Sequence, residues 1–239
     1  MLTVRYGCAT DVGRLRSENQ DSMYAGDGLY LVADGMGGQP AGDVASKLAI
    51  AELSTLAERQ PITAAELEAG VRRANDRLLA DGRQDPERYG MGTTLTGLAA
   101  LAGDRWAVLN VGDSRVYRYA DGRLEQLTVD HSAVQQLVDA GLLDPRAALR
   151  HPRRNVVTRS LGTEPPPVPD IELRDPAVGE RFLVCSDGLT NELSDAEIAT
   201  LLQESEDPQR AATQLVEQAV LAGGRDNVTV IVVQLDEIG

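Results

Sequence analysis

The chain has 239 residues, 42% of them hydrophobic, and a formal net charge of −14. This length and apolar content favour one domain over residues 1–239 with a large core, whereas the acidic balance argues against a nucleic-acid backbone as partner, because such binding depends on Lys and Arg clusters. The sequence contains neither a signal peptide nor an apolar stretch of membrane-spanning length, so we expect a protein of the cytoplasm.

Strand-like runs and paired helical stretches alternate along the chain. Runs rich in Val, Tyr and other strand formers predict strands near residues 3–10, 29–33, 94–101, 106–111, 115–119, 182–185 and 228–235. Helices are predicted in two pairs, at about 41–58 and 64–81 and near 194–203 and 208–222. A capping box formed by Thr63 and Glu66 opens the second helix, and Ser194 and Glu197 form the same pattern at the third.

Strands interrupted by helix pairs predict an α+β fold. The expected architecture is a four-layer α-β-β-α sandwich, in which two mainly antiparallel sheets pack together and a helix pair covers each sheet. One stretch does not fit. Between about residues 135 and 176 a short helical segment is followed by prolines, including those of 165–169 (PPPVP), which resist regular structure. We interpret this stretch as a flap over the site, although an ordinary surface excursion fits the pattern equally well.

Carboxylates stand where predicted strands begin or end. Apolar runs stop at Asp34, Asp113 and Asp187, and Asp226 precedes the last run; Asp21 also lies beside a turn. Strand ends from distant parts of the chain can converge on one rim of a sheet. Carboxylates gathered there repel one another, and a divalent cation removes that conflict.

The residue types favour a hard cation at such a rim. Carboxylate and carbonyl oxygens suit magnesium and manganese, whereas zinc more often recruits Cys or His. Cys8 and Cys185 lie far apart in the sequence and have no paired-ligand spacing. An isolated Asp-Gly pair is more often a turn, so the residues by themselves leave both interpretations open, a turn and a metal ligand.

Seven short motifs then follow one another along nearly the whole chain. They are residues 16–21 (RSENQD), 34–38 (DGMGG), 90–94 (GMGTT), 112–115 (GDSR), 128–132 (TVDHS), 186–188 (SDG) and 224–227 (GRDN). In this order and spacing they resemble the metal-dependent protein phosphatases of the PPM or type 2C family, and the Met after Asp-Gly resembles the bacterial branch.

The resemblance implies a set of metal ligands. Asp34 would bridge two ions, the Gly35 carbonyl would bind one of them, and Asp187 and Asp226 would hold the other. Asp21 would act directly or through water.

The resemblance also implies roles around this pair of ions. Asp113 would be a ligand of a third, weaker ion that it shares with Asp187 and that the flap approaches. Arg16 would bind the substrate phosphate, a role that the forked guanidinium suits. Ser160 would be a contact made by the flap.

The implied activity is that of a bacterial serine/threonine protein phosphatase. Two Mn²⁺ or Mg²⁺ ions would activate a bridging water or hydroxide, which displaces the phosphoserine or phosphothreonine ester without a covalent phosphoenzyme. The implied partners are phosphoproteins, including a Ser/Thr kinase that the enzyme opposes, and the chain is expected to act as a monomer. Two alternatives remain: a phosphatase for regulators of sigma factors, and a pseudophosphatase that keeps the fold as a metal- or partner-binding module.

The chain departs from the family pattern at positions relevant to proton transfer. Met36 and Gln39 stand where some members place histidine, and Gln20 stands where Glu is frequent. The remaining histidines are His131 and His151. We expect His131 to orient a loop through hydrogen bonds and His151 to lie on the flap.

Overall fold

The computed structural model describes residues 2–36, 41–59, 61–103 and 105–237. The strands are β1 (Leu2–Asp11), β2 (Asp21–Gly26), β3 (Leu29–Met36), β4 (Gly92–Thr93), β5 (Leu95–Leu101), β6 (Arg105–Val111), β7 (Arg115–Ala120), β8 (Arg123–Gln126), β9 (Asp170–Arg174), β10 (Arg181–Cys185) and β11 (Val228–Glu237). The helices are α1 (Ala41–Ser54), α2 (Ala64–Gln84), α3 (Ala133–Asp139), α4 (Pro145–Ala148), α5 (Asp187–Thr190), α6 (Asp195–Glu204) and α7 (Pro208–Ala222).

Two antiparallel sheets form the centre of the molecule. Sheet 1 has the strand order β1-β11-β10-β7-β8, and sheet 2 has the order β2-β3-β5-β6-β9, with the short β4 paired to β3. Each named pair of strands is antiparallel. Strands β3 and β10 each have a neighbour on both sides and bury both of their faces. This explains why they appear in the sequence as continuous apolar runs.

Three layers of apolar side chains hold the sandwich together. Side chains of β3 alternate, so that Leu29 and Leu31 pack under α1 and α2 while Tyr30 and Val32 face the other sheet. On sheet 1, α6 and α7 cover the outer face in the same way. Between the sheets, Trp106 stacks on Phe182 with ring centroids 6.2 Å apart. The four-layer α-β-β-α sandwich expected from the sequence is confirmed.

Both predicted capping boxes are present. Thr63 caps α2 through Glu66, and Ser194 caps α6 through Glu197. The first helix is shorter than expected, because the chain leaves α1 at Ser54 and continues in a short 3₁₀ turn at Ala57–Arg59.

The irregular stretch expected over residues 135–176 is also shorter in the structure. It contains α3 from residue 133 and α4, but residues 170–174 form β9, the edge strand of sheet 2 next to β6. The sequence DIELR of β9 alternates charged and apolar residues, which is the pattern of a half-buried strand. The prolines directly before it obscured this signal. In the described ranges, no helix combines the length and apolar character needed to cross a bilayer.

Candidate metal and phosphate site

Four aspartates meet at one rim where the two sheets face each other. On sheet 2, Asp21 begins β2 and lies directly opposite Asp34 of β3 in the antiparallel register. On sheet 1, Asp187 follows β10 and Asp226 precedes β11, and these two strands are neighbours. The register brings together residues from both ends of the chain, as the positions at strand ends predicted.

The Ser186 hydroxyl connects the two sheets at this rim. It donates a hydrogen bond of 2.7 Å to Asp21 Oδ2 and accepts one of 2.9 Å from the Thr229 backbone N–H. This contact holds Oδ2 of Asp21 and makes no use of Oδ1. Sequence reasoning assigned no role to Ser186; its place directly before Asp187 was the available signal.

The backbone of Asp34 is held by two buried threonines. Its N–H donates to Thr94 Oγ1 at 2.9 Å, and its carbonyl accepts from the Thr94 N–H and from Thr93 Oγ1, each at 2.9 Å. The motif at residues 90–94 therefore fixes the backbone of Asp34. Next to it, Gly35 lies so close to α1 that a Cβ would stand 2.0 Å from the Gly42 carbonyl oxygen, which excludes any larger residue.

Burial and mutual repulsion raise the pKa values of the clustered carboxyl groups. Burial is the main cause for each. Asp187 and Asp226 further raise the pKa of Asp21, which reaches about 7, and Asp226 contributes to the pKa of Asp187, about 6. The pKa of Asp34 lies well above its usual value, with Asp21 and Asp187 adding to the effect. Asp187 likewise helps to raise the pKa of Asp113, to about 8.

Two observations indicate that these carboxyl groups are suited to bind a divalent cation. Asp21 Oδ1 is buried and accepts no hydrogen bond from any residue that the structure describes. The donors are oxygens alone, and a cation would stabilise the ionised form that burial disfavours. In the described ranges, no three His, Cys, Asp or Glu side chains already close around a single point as the ligands of an ion do. Strand register and order nevertheless place Asp21 opposite Asp34, and Asp187 and Asp226 at the ends of neighbouring strands, so the four carboxyl groups belong to one rim.

Arg16 lies at the mouth of this carboxylate cluster. Its Nη2 donates to Asp226 Oδ2 at 2.8 Å, and its side chain is 53% exposed. The hydrogen bond to Asp226 raises the pKa of Arg16, and the charges of Asp34 and Asp187 add to this effect. Arg16 is therefore held near the acidic rim with part of its guanidinium accessible to a phosphate.

Asn227 fixes the loop that carries Arg16. Its amide nitrogen donates to the carbonyls of Val12 and Glu18, and its oxygen accepts from the Gln20 N–H, each at 2.9 Å. These three bonds span the loop from β1 to β2. Sequence reasoning included Asn227 in a motif without assigning it a role.

Asp113 lies at the end of β6, supported by His131. The Gly112 N–H donates to His131 Nδ1 at 3.0 Å, so Nδ1 carries no proton and Nε2 donates to Asp170 at 3.0 Å. Burial is the main reason that the pKa of His131 is lowered. Arg159 also donates to Asp170, at 2.7 Å. The expected loop-orienting hydrogen bonds of His131 are thus present, and the ring is neutral.

A cavity of about 1400 Å³, which we name the flap cleft, opens beside the rim. Its wall includes Asp113 and Asp187, ten of the residues between 134 and 155, and the start of α6. Ser160 lies elsewhere: its neighbour Leu161 pairs with Thr93 of β4. The second half of the motif at 34–38, with Gln39, lies outside the described residues.

Comparison with known proteins gives a consistent result. The profile of the family described as protein phosphatase 2C matches residues 15–219. The serine/threonine protein phosphatase PstP of Mycobacterium tuberculosis is 43% identical over 233 residues, which make up 97% of this chain and 45% of that protein. The chain thus spans just under half of that relative. The serine/threonine phosphatase Stp of Listeria monocytogenes is 35% identical over 238 residues, 95% of this chain and 94% of the relative.

Solved structures agree with these sequence matches. The crystal structure of the M. tuberculosis phosphatase PstP/Ppp has a TM-score of 0.93 at 43% identity and covers 98% of this chain and 99% of its own. A structure of the PstP catalytic domain in complex with two manganese ions has a TM-score of 0.91 at 40% identity, covering 99% of this chain and 100% of that one.

Proposed function

The chain belongs to the protein phosphatase 2C family, and from this premise we propose that it hydrolyses phosphoserine and phosphothreonine in proteins. The observation that carries the proposal is the convergence of buried carboxyl groups with raised pKa values beside the partly exposed Arg16. Oxygen ligands for divalent cations and a guanidinium for a phosphate then lie on one rim, which is the set of groups that metal-assisted phosphate ester hydrolysis requires.

We assign the metal-holding role to the rim residues. Asp34 would be shared by two ions, with the Gly35 carbonyl on one of them and Asp187 and Asp226 on the other; Asp21 would bind directly or through water. Two such cations supply Lewis acidity, which lowers the pKa of water and neutralises charge on the phosphoryl group. The related PstP catalytic domain was crystallised in complex with two manganese ions, and this supports Mn²⁺ here; Mg²⁺ suits the same oxygen donors.

Arg16 has the phosphate-binding role in this proposal. Asp226 aligns its guanidinium through the bond of 2.8 Å, and the free part of the fork can bind two phosphate oxygens. Cys185, two residues before Asp187, is a poor alternative nucleophile, because burial raises the pKa of its thiol to about 12. The proposed reaction is therefore direct displacement by water without a phosphoenzyme.

The proposal includes a third, weaker ion at Asp113 and Asp187. Its support is that both residues line the flap cleft and that the charge of Asp187 raises the pKa of Asp113. Ser160 remains a prediction as a flap contact.

The biological setting is inferred from the same premise. We propose phosphoprotein substrates, among them a Ser/Thr kinase, for a chain that acts as a monomer in the cytoplasm. Residues 1–239 would form a single catalytic domain, which the continuous interface between the two sheets supports.

The test is phosphate release from a phosphothreonine peptide during manganese titration, with EDTA as the metal-free condition. Wild type is compared with Asp226→Ala and with Asp76→Ala, which removes a carboxylate from the exposed side of α2 as a matched control. We expect metal-dependent release by wild type and Asp76→Ala, and its loss in Asp226→Ala. If folded wild type released no phosphate from this peptide, from a second peptide or from a phosphoprotein, the result would favour the pseudophosphatase alternative.

A further inference from the structure

Three arginines of the flap share a cavity with the carboxylates of the proposed centre. Arg146, Arg150 and Arg154 line the flap cleft, as do Asp113 and Asp187. A phosphopeptide whose phosphate lies at the rim would therefore have its neighbouring residues in a space that these guanidinium groups border.

The other basic residues of the flap cleft are already neutralised. Arg115 forms a bidentate pair with Asp130, at 2.9 and 2.7 Å. Arg225 donates from Nε to Glu192 Oε1 and from Nη2 to Glu192 Oε2, each at 2.9 Å. In each pair the guanidinium donates two hydrogen bonds to the carboxylate. Arg115 and Arg225 therefore have few donors left for a ligand.

Arg146, Arg150 and Arg154 have no such partner among the residues that the structure describes. None of the three forms an ion pair with a described carboxylate or donates a side-chain hydrogen bond to one. The charge of Arg154 contributes to lowering the pKa of Glu192, but Arg225 is the main cause and occupies that carboxylate. The three arginines thus keep their positive charge uncompensated by a paired carboxylate, in a chain whose net charge is −14.

Like charges collected on one wall repel one another, and a bound anion removes that cost. The flap cleft also offers apolar contact next to the charges: Leu149 lines it and is 68% exposed. A free inorganic anion would not use this contact, whereas a peptide side chain can. The combination therefore fits an acidic peptide segment.

We propose that Arg146, Arg150 and Arg154 form a substrate subsite that binds a second anionic group of the phosphoprotein, close in sequence to the residue being dephosphorylated. This inference rests on the proposed function and specifies its substrate class. The shared chemistry is an anionic oxygen group, which either an Asp or Glu side chain or a second phosphorylated residue supplies. Guanidinium groups bind both, and a phosphate can accept two parallel hydrogen bonds from one Arg.

The test compares phosphothreonine peptides that differ at one position. In each set this position carries Ala, Gln, Glu or a second phosphothreonine, and it is moved stepwise along both sides of the scissile residue. Phosphate release from the scissile residue is followed by mass spectrometry with saturating manganese. At the best position we expect Glu or phosphothreonine to raise kcat/KM by roughly tenfold over Gln, mainly through a lower KM, because the subsite contacts no reacting atom.

The enzyme variants separate a local effect from a general effect of charge. Arg146→Gln, Arg150→Gln and Arg154→Gln are combined in one variant. The matched control combines Arg72→Gln, Arg123→Gln and Arg210→Gln, which removes the same charge at residues that do not line the flap cleft. We expect the first variant to lose the preference for the anionic peptide and the control to keep it. Both should hydrolyse para-nitrophenyl phosphate at the wild-type rate, since this small substrate does not reach the flap arginines.

A variant with Arg150→Glu gives a second, independent measurement. It should reduce the preference for the anionic peptide more than the neutral Arg150→Gln does, because the charge of the three positions then falls from +3 to +1 and not to +2. The subsite is refuted if wild type hydrolyses all four peptides equally, or if the Gln variant of the flap arginines keeps the wild-type preference. Failure of the proposed function has a different signature, because wild type would then hydrolyse neither para-nitrophenyl phosphate nor any peptide.

Discussion

Ser186 Oγ donates a hydrogen bond of 2.7 Å to Asp21 Oδ2, from the end of β10 in sheet 1 to the start of β2 in sheet 2. The two residues are 165 positions apart in the sequence. We expect Ser186→Ala to lower the free energy of unfolding by about 1–3 kcal/mol, because the Thr229 N–H loses its buried acceptor. Urea unfolding measures this change.

The same substitution is expected to weaken manganese binding, since the hydrogen bond from Ser186 favours the ionised form of Asp21. Calorimetric titration with Mn²⁺ measures it. Ser54→Ala is the control, because among the described residues the Ser54 hydroxyl bonds only to the carbonyl of Ala51 in its own helix. Equal manganese affinity in Ser186→Ala and wild type would show that the hydrogen bond from Ser186 to Asp21 does not affect metal binding.

Asp34→Asn removes a central charge of the rim while nearly keeping the side-chain shape. We expect turnover to fall by more than roughly a hundredfold, the loss that follows even from removing an outer partner of a bound metal. The folded state should persist, because Thr93 and Thr94 hold the backbone of residue 34 rather than its side chain. Circular dichroism checks folding, and phosphate release under saturating manganese checks activity. Wild-type turnover in this variant would contradict the bridging assignment.

The clustered carboxyl groups should make stability without metal decrease as the pH rises. The pKa values of Asp187, Asp21 and Asp113, about 6, 7 and 8, lie above the ordinary value of 3.8, so the folded state retains protons that the unfolded chain releases. The free energy of unfolding should therefore fall as the pH rises from about 4 to 8. Urea unfolding in EDTA across this range measures it.

Two further measurements of the free energy of unfolding against pH test the cause of this dependence. Saturating manganese should reduce the decrease, because cations then take the place of the protons. Asp113→Asn should flatten the upper part of the curve, toward pH 8, where Asp113 ionises. A stability without metal that rises over the whole range would contradict the raised pKa values.

His131→Ala is expected to retain a sizeable fraction of the turnover, with an unchanged pH–rate profile. The ring accepts from the Gly112 N–H and donates to Asp170, so it is held neutral and acts as a support. Loss of these bonds should cost about 1–3 kcal/mol of stability. Steady-state kinetics across pH, together with urea unfolding, test both parts. Disappearance of one limb of the pH profile would instead identify His131 as a proton donor.

Asp113→Ala should still bind two manganese ions but turn over slowly, because the proposed third site would lose a ligand. Calorimetry gives the number of ions bound, and phosphate release gives the turnover. Asp139→Ala, a carboxylate removed from α3 of the flap, is the matched control. If Asp113→Ala turned over at the wild-type rate, the third site would have no role in the reaction.

The fold was largely predictable because its signals are local. Leu29 to Ala33 and Phe182 to Cys185 are apolar at consecutive positions, which is how a strand buried on both faces is recognised. The caps at Thr63 and Ser194 depend on residues three positions apart. The edge strand β9 was missed because most of its residues are exposed and prolines precede it.

By itself the sequence determined which segments become strands and helices and which carboxylates stand at strand ends, since these depend on near neighbours and on apolar periodicity. Only the tertiary structure decided that the Asp21–Asp34 pair meets Asp187 and Asp226 at one rim, that Ser186 and Asn227 support this rim, and that the flap arginines line the same cavity as Asp113. The physical reason is that these contacts join residues far apart in the chain. The packing of one sheet on the other sets their positions, and no local pattern encodes that packing.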